Sequence, residues 1–237
     1  MGLLQIGKPY RLFNYTGTLI ENAPLSAPNV GAYSFTVDTD TPGQVNLIVS
    51  GGGPIWNGGS TTGNNWSDAA NWTGVALNPN DTLNFAGTAR LNNTNDTAAD
   101  TTYTDVVFHS GAGAFKLNGN SITLAGNVHN NSANPQTINV GVSFSTTPRT
   151  FNGGTSGLTI GGGVTNSANL TTLTLSGTGT LTNKLASADP NSMTNVLSMA
   201  TNANWTLMDN ATATAVTAPW NFQIAAGTLN FGSGASA

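Results

Sequence analysis

Two related stretches indicate the fold of this chain: ITLAGNVHNNSAN (residues 122–134) and LTIGGGVTNSAN (residues 158–169), which are offset by 36 residues. Each begins with an apolar–polar–apolar triplet, which is typical of a short β-strand with one buried face. A segment that recurs at a fixed offset indicates a repeat architecture. Since 36 residues could hold two coils of about 18, the pattern predicts a parallel β-helix in which each coil stacks on its neighbours.

Similar strand signals extend in both directions along the chain. Three longer alternating segments come first, at Tyr10–Tyr15, Tyr33–Val37 and Gln44–Val49. Further triplets follow at Leu83–Phe85, Val106–Phe108, Phe115–Leu117, Ile138–Val140, Val142–Phe144, Leu173–Leu175 and Leu229–Phe231. A β-sandwich or barrel is the alternative, because short strands and Asn-Gly pairs are also typical of hairpins.

The composition favours an all-β chain and excludes several classes of protein. Only 16 of the 237 residues are charged, the net charge is −4, and Thr, Asn and Gly together make 97 residues. Thr, Asn and Gly are poor helix formers, and a hydrophobic content of 38% argues against disorder. Six dispersed cations argue against nucleic-acid binding. There is no cysteine, and no apolar run is long enough for a transmembrane helix.

The abundance of Asn and Thr also fits a stack of coils. In a β-solenoid, equivalent residues of successive coils lie about 4.8 Å apart. Asn side chains can then form ladders, and Asn tolerates the positive φ angles of tight corners. Low charge is expected as well, because like charges in one column repel each other.

The best candidate for a boundary is the Gly-Gly-Gly-Pro segment at residues 51–54, because Gly and Pro interrupt regular structure. On this basis we expect three segments: residues 1–50, a Trp- and Asn-rich stretch at residues 51–81, and the coils of the β-helix at residues 82–237.

Several motifs resemble bacterial proteins with autotransporter-associated β-strand repeats. The most distinctive is WNGGSTTGNNWSDAANW at residues 56–72, followed by PNDTLNFAG at residues 79–87. WNFQIAAGTLNF at residues 220–231 is similar to the Gly-Thr-Leu repeat of that family. The resemblance implies a right-handed β-helix that is secreted or displayed on the bacterial cell surface. It also implies that residues 1–50 are the closing segment of one repeat unit and that residues 51–81 are the start or cap of the next.

The function implied by this resemblance is structural: a segment of an extracellular fibre, stalk or adhesin, with no enzymatic activity and no cofactor. Unpaired strand edges at the ends of a solenoid template association. The expected partners are therefore copies of the same chain or adjoining repeat units, joined end to end through residues 1–50 and 201–237. Surface glycans are a further expected partner, and nucleic acid is not.

Trp56, Trp66 and Trp72 are the candidate ligand-binding residues. Flat aromatic faces stack on sugar rings, so the three side chains could form the platform of a carbohydrate-binding module. The alternative is a hydrophobic plug that closes the end of a coil, because a large aromatic side chain dominates a small core.

The other candidate sites are weaker. Asp38 and Asp40 are spaced like ligands of a calcium loop, but the other ligands of an EF-hand are absent. Acidic clusters with a basic residue serve polysaccharide-degrading enzymes built on β-helices, and the only such group here is Arg90, Asp96, Asp100 and Asp105. We expect these four residues to form a solvated loop. The two histidines, His109 and His129, are expected in exposed or turn positions.

Overall fold

A computed structural model of the chain describes residues 9–20, 34–39, 41–50, 53–73, 76–144, 148–166, 172–183, 185–187, 195–209, 220–224 and 227–233. The chain divides into two compact units, Met1–Gly53 and Pro54–Ala237. The division lies within the Gly-rich segment at residues 51–54. Each unit is described by itself below.

The first unit contains a three-stranded antiparallel sheet. Its strands are β1 (Pro9–Asn14), β2 (Ser34–Asp38) and β3 (Gln44–Ser50), in the order β1-β3-β2. The three alternating segments of the sequence therefore form strands, although most residues of β1 are exposed. These strands pair antiparallel and do not form coils of a solenoid.

The second unit is a parallel β-solenoid built from three sheets, here named A, B and C. Sheet A holds β4 (Ile55–Trp56), β6 (Leu83–Phe85), β9 (Val106–Phe108), β12 (Val128–Asn130), β15 (Arg149–Asn152), β18 (Thr172–Ser176), β21 (Asn195–Met199) and β23 (Trp220–Ile224), with β5 (Trp72–Thr73) antiparallel beside β4. Sheet B holds β7 (Asn92–Asn95), β10 (Lys116–Gly119), β13 (Gln136–Ile138), β16 (Leu158–Ile160), β19 (Thr178–Leu181), β22 (Asn204–Asp209) and β24 (Thr228–Ser233). Sheet C holds β8 (Thr101–Tyr103), β11 (Ile122–Leu124), β14 (Val142–Phe144), β17 (Val164–Asn166) and β20 (Leu185–Ser187).

The chain passes through sheets A, B and C in turn and forms about five three-sided coils. The predicted all-β parallel β-helix is therefore confirmed, and the β-sandwich alternative is wrong. The described residues contain no α-helix and only one 3₁₀ turn, Ala69–Asn71. No described segment forms a helix with the length and apolar character needed to span a membrane.

The expected coil length of about 18 residues is wrong. Val106 pairs with Val128 in the next coil, and Val128 pairs with Phe151, so these coils are 22 and 23 residues long. The two related stretches begin on different sheets, since Ile122 starts a strand of sheet C and Leu158 starts a strand of sheet B. The offset of 36 residues thus spans five sides of a three-sided coil, because the sides are similar short strands joined by turns.

The core of the solenoid consists of inward-facing columns of apolar side chains. In sheet B one column runs through Ile138, Ile160, Leu181 and Leu207, all of which are buried and successively paired. The residues between the inward positions face outward and are mostly Thr, Ser and Asn. Burial alternates accordingly in most triplets, as the apolar–polar–apolar pattern predicts.

Asparagine contributes in the two ways expected from the sequence. The carboxamide of Asn118 donates to Asn92 Oδ1 at 2.7 Å and accepts from Asn139 at 2.8 Å, which forms a ladder across three coils. Asn80 and Asn202 adopt positive φ angles of 69° and 62°. Asparagine therefore stabilises both the stacked edges and the corners of the solenoid.

Candidate functional site

Three buried indole rings close the N-terminal end of the solenoid. Trp56, Trp66 and Trp72 are 0%, 0% and 4% exposed. Trp72 packs edge-on against both others, with ring centroids 5.1 Å from Trp56 and 6.3 Å from Trp66. Phe85 and Tyr103 of the first coil complete the cluster.

Because the three tryptophans are buried, their rings have no exposed face that a ligand could contact. A sugar ring stacks only on an exposed aromatic face, and Trp56, Trp66 and Trp72 present none in this structure. The residues named as a glycan-stacking platform lie instead in the position of the hydrophobic plug. The sequence alone could not separate the two arrangements, because both use the same side chains.

The loop that carries the tryptophans is held by buried polar contacts. Asn71 is fully buried; its Oδ1 accepts from the Ser60 amide at 3.1 Å, and its Nδ2 donates to the carbonyls of Gly63 and Asn65, each at 3.1 Å. The Ser60 hydroxyl donates to Asp68 at 2.5 Å, and this bond together with the Ala70 amide lowers the pKa of Asp68. The loop therefore has a defined conformation over the first coil.

This N-terminal segment also pairs with the first complete coil, made of β6, β7 and β8, on all three sides. On sheet A, β5 pairs with β4, which in turn pairs with β6. On sheet B, the amide of Trp66 donates to the Thr94 carbonyl at 2.9 Å. On sheet C, the amide of Asn80 donates to the Thr102 carbonyl at 2.7 Å. We call residues 54–82 the N-terminal cap, because they occupy strand edges that would otherwise be open.

The C-terminal end of the solenoid differs from the capped end. In sheet A, the inward column runs from Phe151 through Leu175 and Met199, which are at most 3% exposed, to Ile224, which is 48% exposed. The column of sheet B ends similarly, from Leu207 at 3% to Phe231 at 70%. Core positions thus become solvent-exposed in the last described strands.

Asp38 and Asp40 are not brought together with further ligands by any described contact. Asp38 lies on β2 and accepts a hydrogen bond from Asn46 Nδ2 at 3.4 Å, while Asp40 lies outside the described residues. Within the part of the chain that is described, there is no group of three or more His, Cys, Asp or Glu side chains arranged to hold a metal ion.

The four charged residues between Arg90 and Asp105 each bind a different neighbour. Arg90 donates to the Ser60 carbonyl, and Asp96 accepts from the amide and hydroxyl of Ser67 at 2.9 and 2.5 Å. Asp100 accepts from Ser121 Oγ at 2.7 Å, and Asp105 accepts from the Asn127 amide at 2.6 Å. These contacts tie the segment to the cap and to the next coil. Asp96 and Asp100 are exposed to solvent, as a solvated loop predicts, whereas Arg90 and Asp105 are partly buried.

The electrostatic effects in this segment follow from the same contacts. Partial burial raises the pKa of Asp96, but the hydrogen bonds that its carboxylate accepts, the largest of them from Ser67, together outweigh burial and lower that pKa. No described contact joins two of the three carboxylates.

His129 lies on strand β12 of sheet A, and His109 directly follows strand β9. His109 Nε2 lies 3.1 Å from Asn84 Oδ1, and burial lowers the pKa of His109. His129 is the middle residue of β12 and pairs with Val107 and Asn152. His109 opens a turn as expected, since its carbonyl accepts from the Ala112 amide at 2.8 Å, whereas His129 lies within a strand; both side chains are partly buried.

A feature that the sequence analysis missed is a shallow groove of about 380 Å³ on the outer face of sheet B. Its lining includes Thr159, Thr180 and Thr206, which occupy the same outward position in three successive coils. The sequence does hold the spacing that aligns these threonines, since Thr180 follows Thr159 by 21 residues and Thr206 follows Thr180 by 26. A coil of about 18 residues, as expected from the sequence, does not place these threonines beside each other, so the row was not predicted.

Comparison of the chain with protein-family models, curated protein sequences and solved structures finds no match. The fold is thus shown by the strand pairing itself.

Proposed function

We propose that this chain is a structural segment of a secreted or surface-displayed bacterial fibre, stalk or adhesin, with no catalytic activity, and that its solenoid associates through its C-terminal end. The observation that carries the proposal is the contrast between the two ends. Aromatic side chains seal the first coil, whereas the core columns end at Ile224 and Phe231 with 48% and 70% of their surface exposed.

Exposed core positions favour contact with a further coil. Each inward column places apolar side chains about 4.8 Å apart along the solenoid axis. One more coil would cover Ile224 and Phe231 as Met199 and Leu207 are covered now. Burial of apolar surface provides about 25 cal/mol for each Å² removed from water, so such a contact is favourable. Adjoining repeat units or a second copy of the chain would supply this coil.

The N-terminal cap limits how far an isolated chain can assemble. Head-to-tail stacking requires an open strand edge at both ends of the solenoid, and the cap occupies the first edge of each sheet. Two copies can still meet through their C-terminal ends around a two-fold axis, which closes the assembly. We therefore expect pairs of the isolated chain, where the sequence analysis expected contacts at both ends.

The test is the molar mass of the purified chain, measured by light scattering over a wide range of concentration. The wild-type mass should rise from monomer to dimer, and the Ile224→Lys/Phe231→Lys variant should stay monomeric. Ile20→Lys is the matched control, because Ile20 is 78% exposed but lies in the first unit. A wild-type chain that stays monomeric at millimolar concentration contradicts self-association. A double variant that still dimerises contradicts the assigned surface.

A further inference from the structure

We propose that the groove on sheet B binds a linear, uncharged polysaccharide that lies along the solenoid axis. This inference does not depend on the self-association proposed above. It rests on three observations: a row of outward hydroxyls in exact register, the lack of partners for those hydroxyls, and open space beside the row.

The row crosses the strands of sheet B. Thr137 pairs with Thr159, Thr159 with Thr180, and Thr180 with Thr206, and the row ends at Asn230 in β24. Successive members are about 4.8 Å apart, so the part from Thr159 to Asn230 spans about 14 Å. A row with a constant repeat is best matched by a ligand that itself repeats along its length.

The hydroxyls of the row are available to a ligand. Among the described residues, the side chains of Thr159, Thr180 and Thr206 make no hydrogen bond to protein. On sheet C, by contrast, Thr123 Oγ1 lies 2.9 Å from Ser143 Oγ and bonds to it. Each threonine hydroxyl offers one donor and two acceptor positions, which is the pattern needed to recognise the hydroxyl groups of a sugar.

The groove is open because a side chain is missing beside the row. Gly157 has a φ of +99°, and a Cβ added there would contact only Thr178 Oγ1, at 3.7 Å. Thr178 and Asn204 form a second outward row next to the first. The carboxamide of Asn204 accepts from Asn230 at 3.0 Å, which ties this row to the threonine row.

The chemistry of the lining selects the class of ligand. None of the lining residues is charged and none is aromatic, and most of the polar side chains are those of Thr159, Thr178, Thr180, Asn204, Thr206 and Asn230. The lining of the groove offers an anionic polymer no cation, and Lys116, which continues the row beyond Thr137, lies two coils from Thr159. This favours a neutral polymer within the groove. Without an aromatic face, binding depends on hydrogen bonds that are individually weak, so affinity should accumulate with the length of the ligand.

The experiment is titration calorimetry of the full chain with cellohexaose, chitohexaose and xylohexaose, and with the corresponding trisaccharides. At least one hexasaccharide should bind, and its trisaccharide should bind more weakly. The Thr180→Val/Thr206→Val variant keeps the shape and the β-propensity of both sites but lacks two hydroxyls. We expect it to weaken binding about tenfold.

Thr102→Val/Thr165→Val is the matched control, because these two threonines face outward on sheet C. It should bind like the wild type. The proposal is overturned if none of the three hexasaccharides binds at millimolar concentration, or if both double variants bind equally. It is also overturned if the chain binds no saccharide but slows ice growth through the same row, since the periodic ligand would then be an ice surface.

Discussion

Replacing Trp66 by alanine removes the central ring of the N-terminal cap. The indole is fully buried and packs against Trp72, Phe85 and Tyr103, with ring centroids 6.0 to 6.3 Å away. Truncation of a buried Trp to Ala costs about 3–5 kcal/mol through lost burial and the cavity left behind. The first coil should therefore be strongly destabilised.

A second cost arises from Asn93. Trp66 Nε1 donates to Asn93 Oδ1 at 2.8 Å, and Asn93 Nδ2 is a buried atom without a partner among the described residues. Loss of the indole leaves the buried oxygen unsatisfied as well, which costs about 1–3 kcal/mol. The total of about 4–8 kcal/mol is comparable with the whole stability of an ordinary domain.

The prediction also says where in the solenoid stability is lost in the Trp66→Ala variant. Because each coil contacts mainly its neighbours, stability in a solenoid is approximately a sum of coil and interface terms. Hydrogen–deuterium exchange should accelerate in residues 54–103 of Trp66→Ala and remain near wild type in residues 172–209. Trp66→Phe is the control, since it retains most of the packing and should lose less stability.

Two results would refute the reasoning about the cap. The first is a Trp66→Ala variant whose urea midpoint and exchange rates match those of the wild type, because the ring would then not support the first coil. The second is equal acceleration of exchange in every coil, which would mean that the solenoid unfolds as one cooperative body.

Two further predictions concern single positions. A Cβ at Gly179 would lie 2.6 Å from both the Leu158 carbonyl oxygen and the Trp205 ring, so Gly179→Ala should destabilise by about 1–3 kcal/mol in thermal melts. Gly63→Ala, where a Cβ meets nothing within 4 Å, should be nearly neutral. Burial lowers the pKa of His109, so the unfolded chain binds the proton first and stability should fall as the pH drops below about 6.5. The drop in urea midpoint between pH 8 and pH 5.5 should shrink in His109→Gln and persist in His129→Gln.

The strands that could be predicted from sequence are those with two large apolar inward residues. Leu83–Phe85, Ile122–Leu124 and Leu158–Ile160 all form strands at the predicted positions. The strands Asn92–Asn95 and Arg149–Asn152 were missed, because polar residues occupy inward positions in them. Asn95, for example, is 1% exposed and donates to the Asn120 carbonyl at 2.8 Å, a partner supplied only by the next coil.

The amino-acid sequence indicated an all-β chain of short strands and favoured a stack of coils over a sandwich. Alternating triplets, scarce charge and abundant Asn and Thr act locally, through the period of a strand and the conformations of its turns. The length of a coil, the burial of Trp66 and the alignment of Thr159 with Thr180 became visible only in the three-dimensional structure. These features depend on which strands become neighbours, and strands of similar sequence occupy all three sheets, so the local pattern does not distinguish one pairing from another.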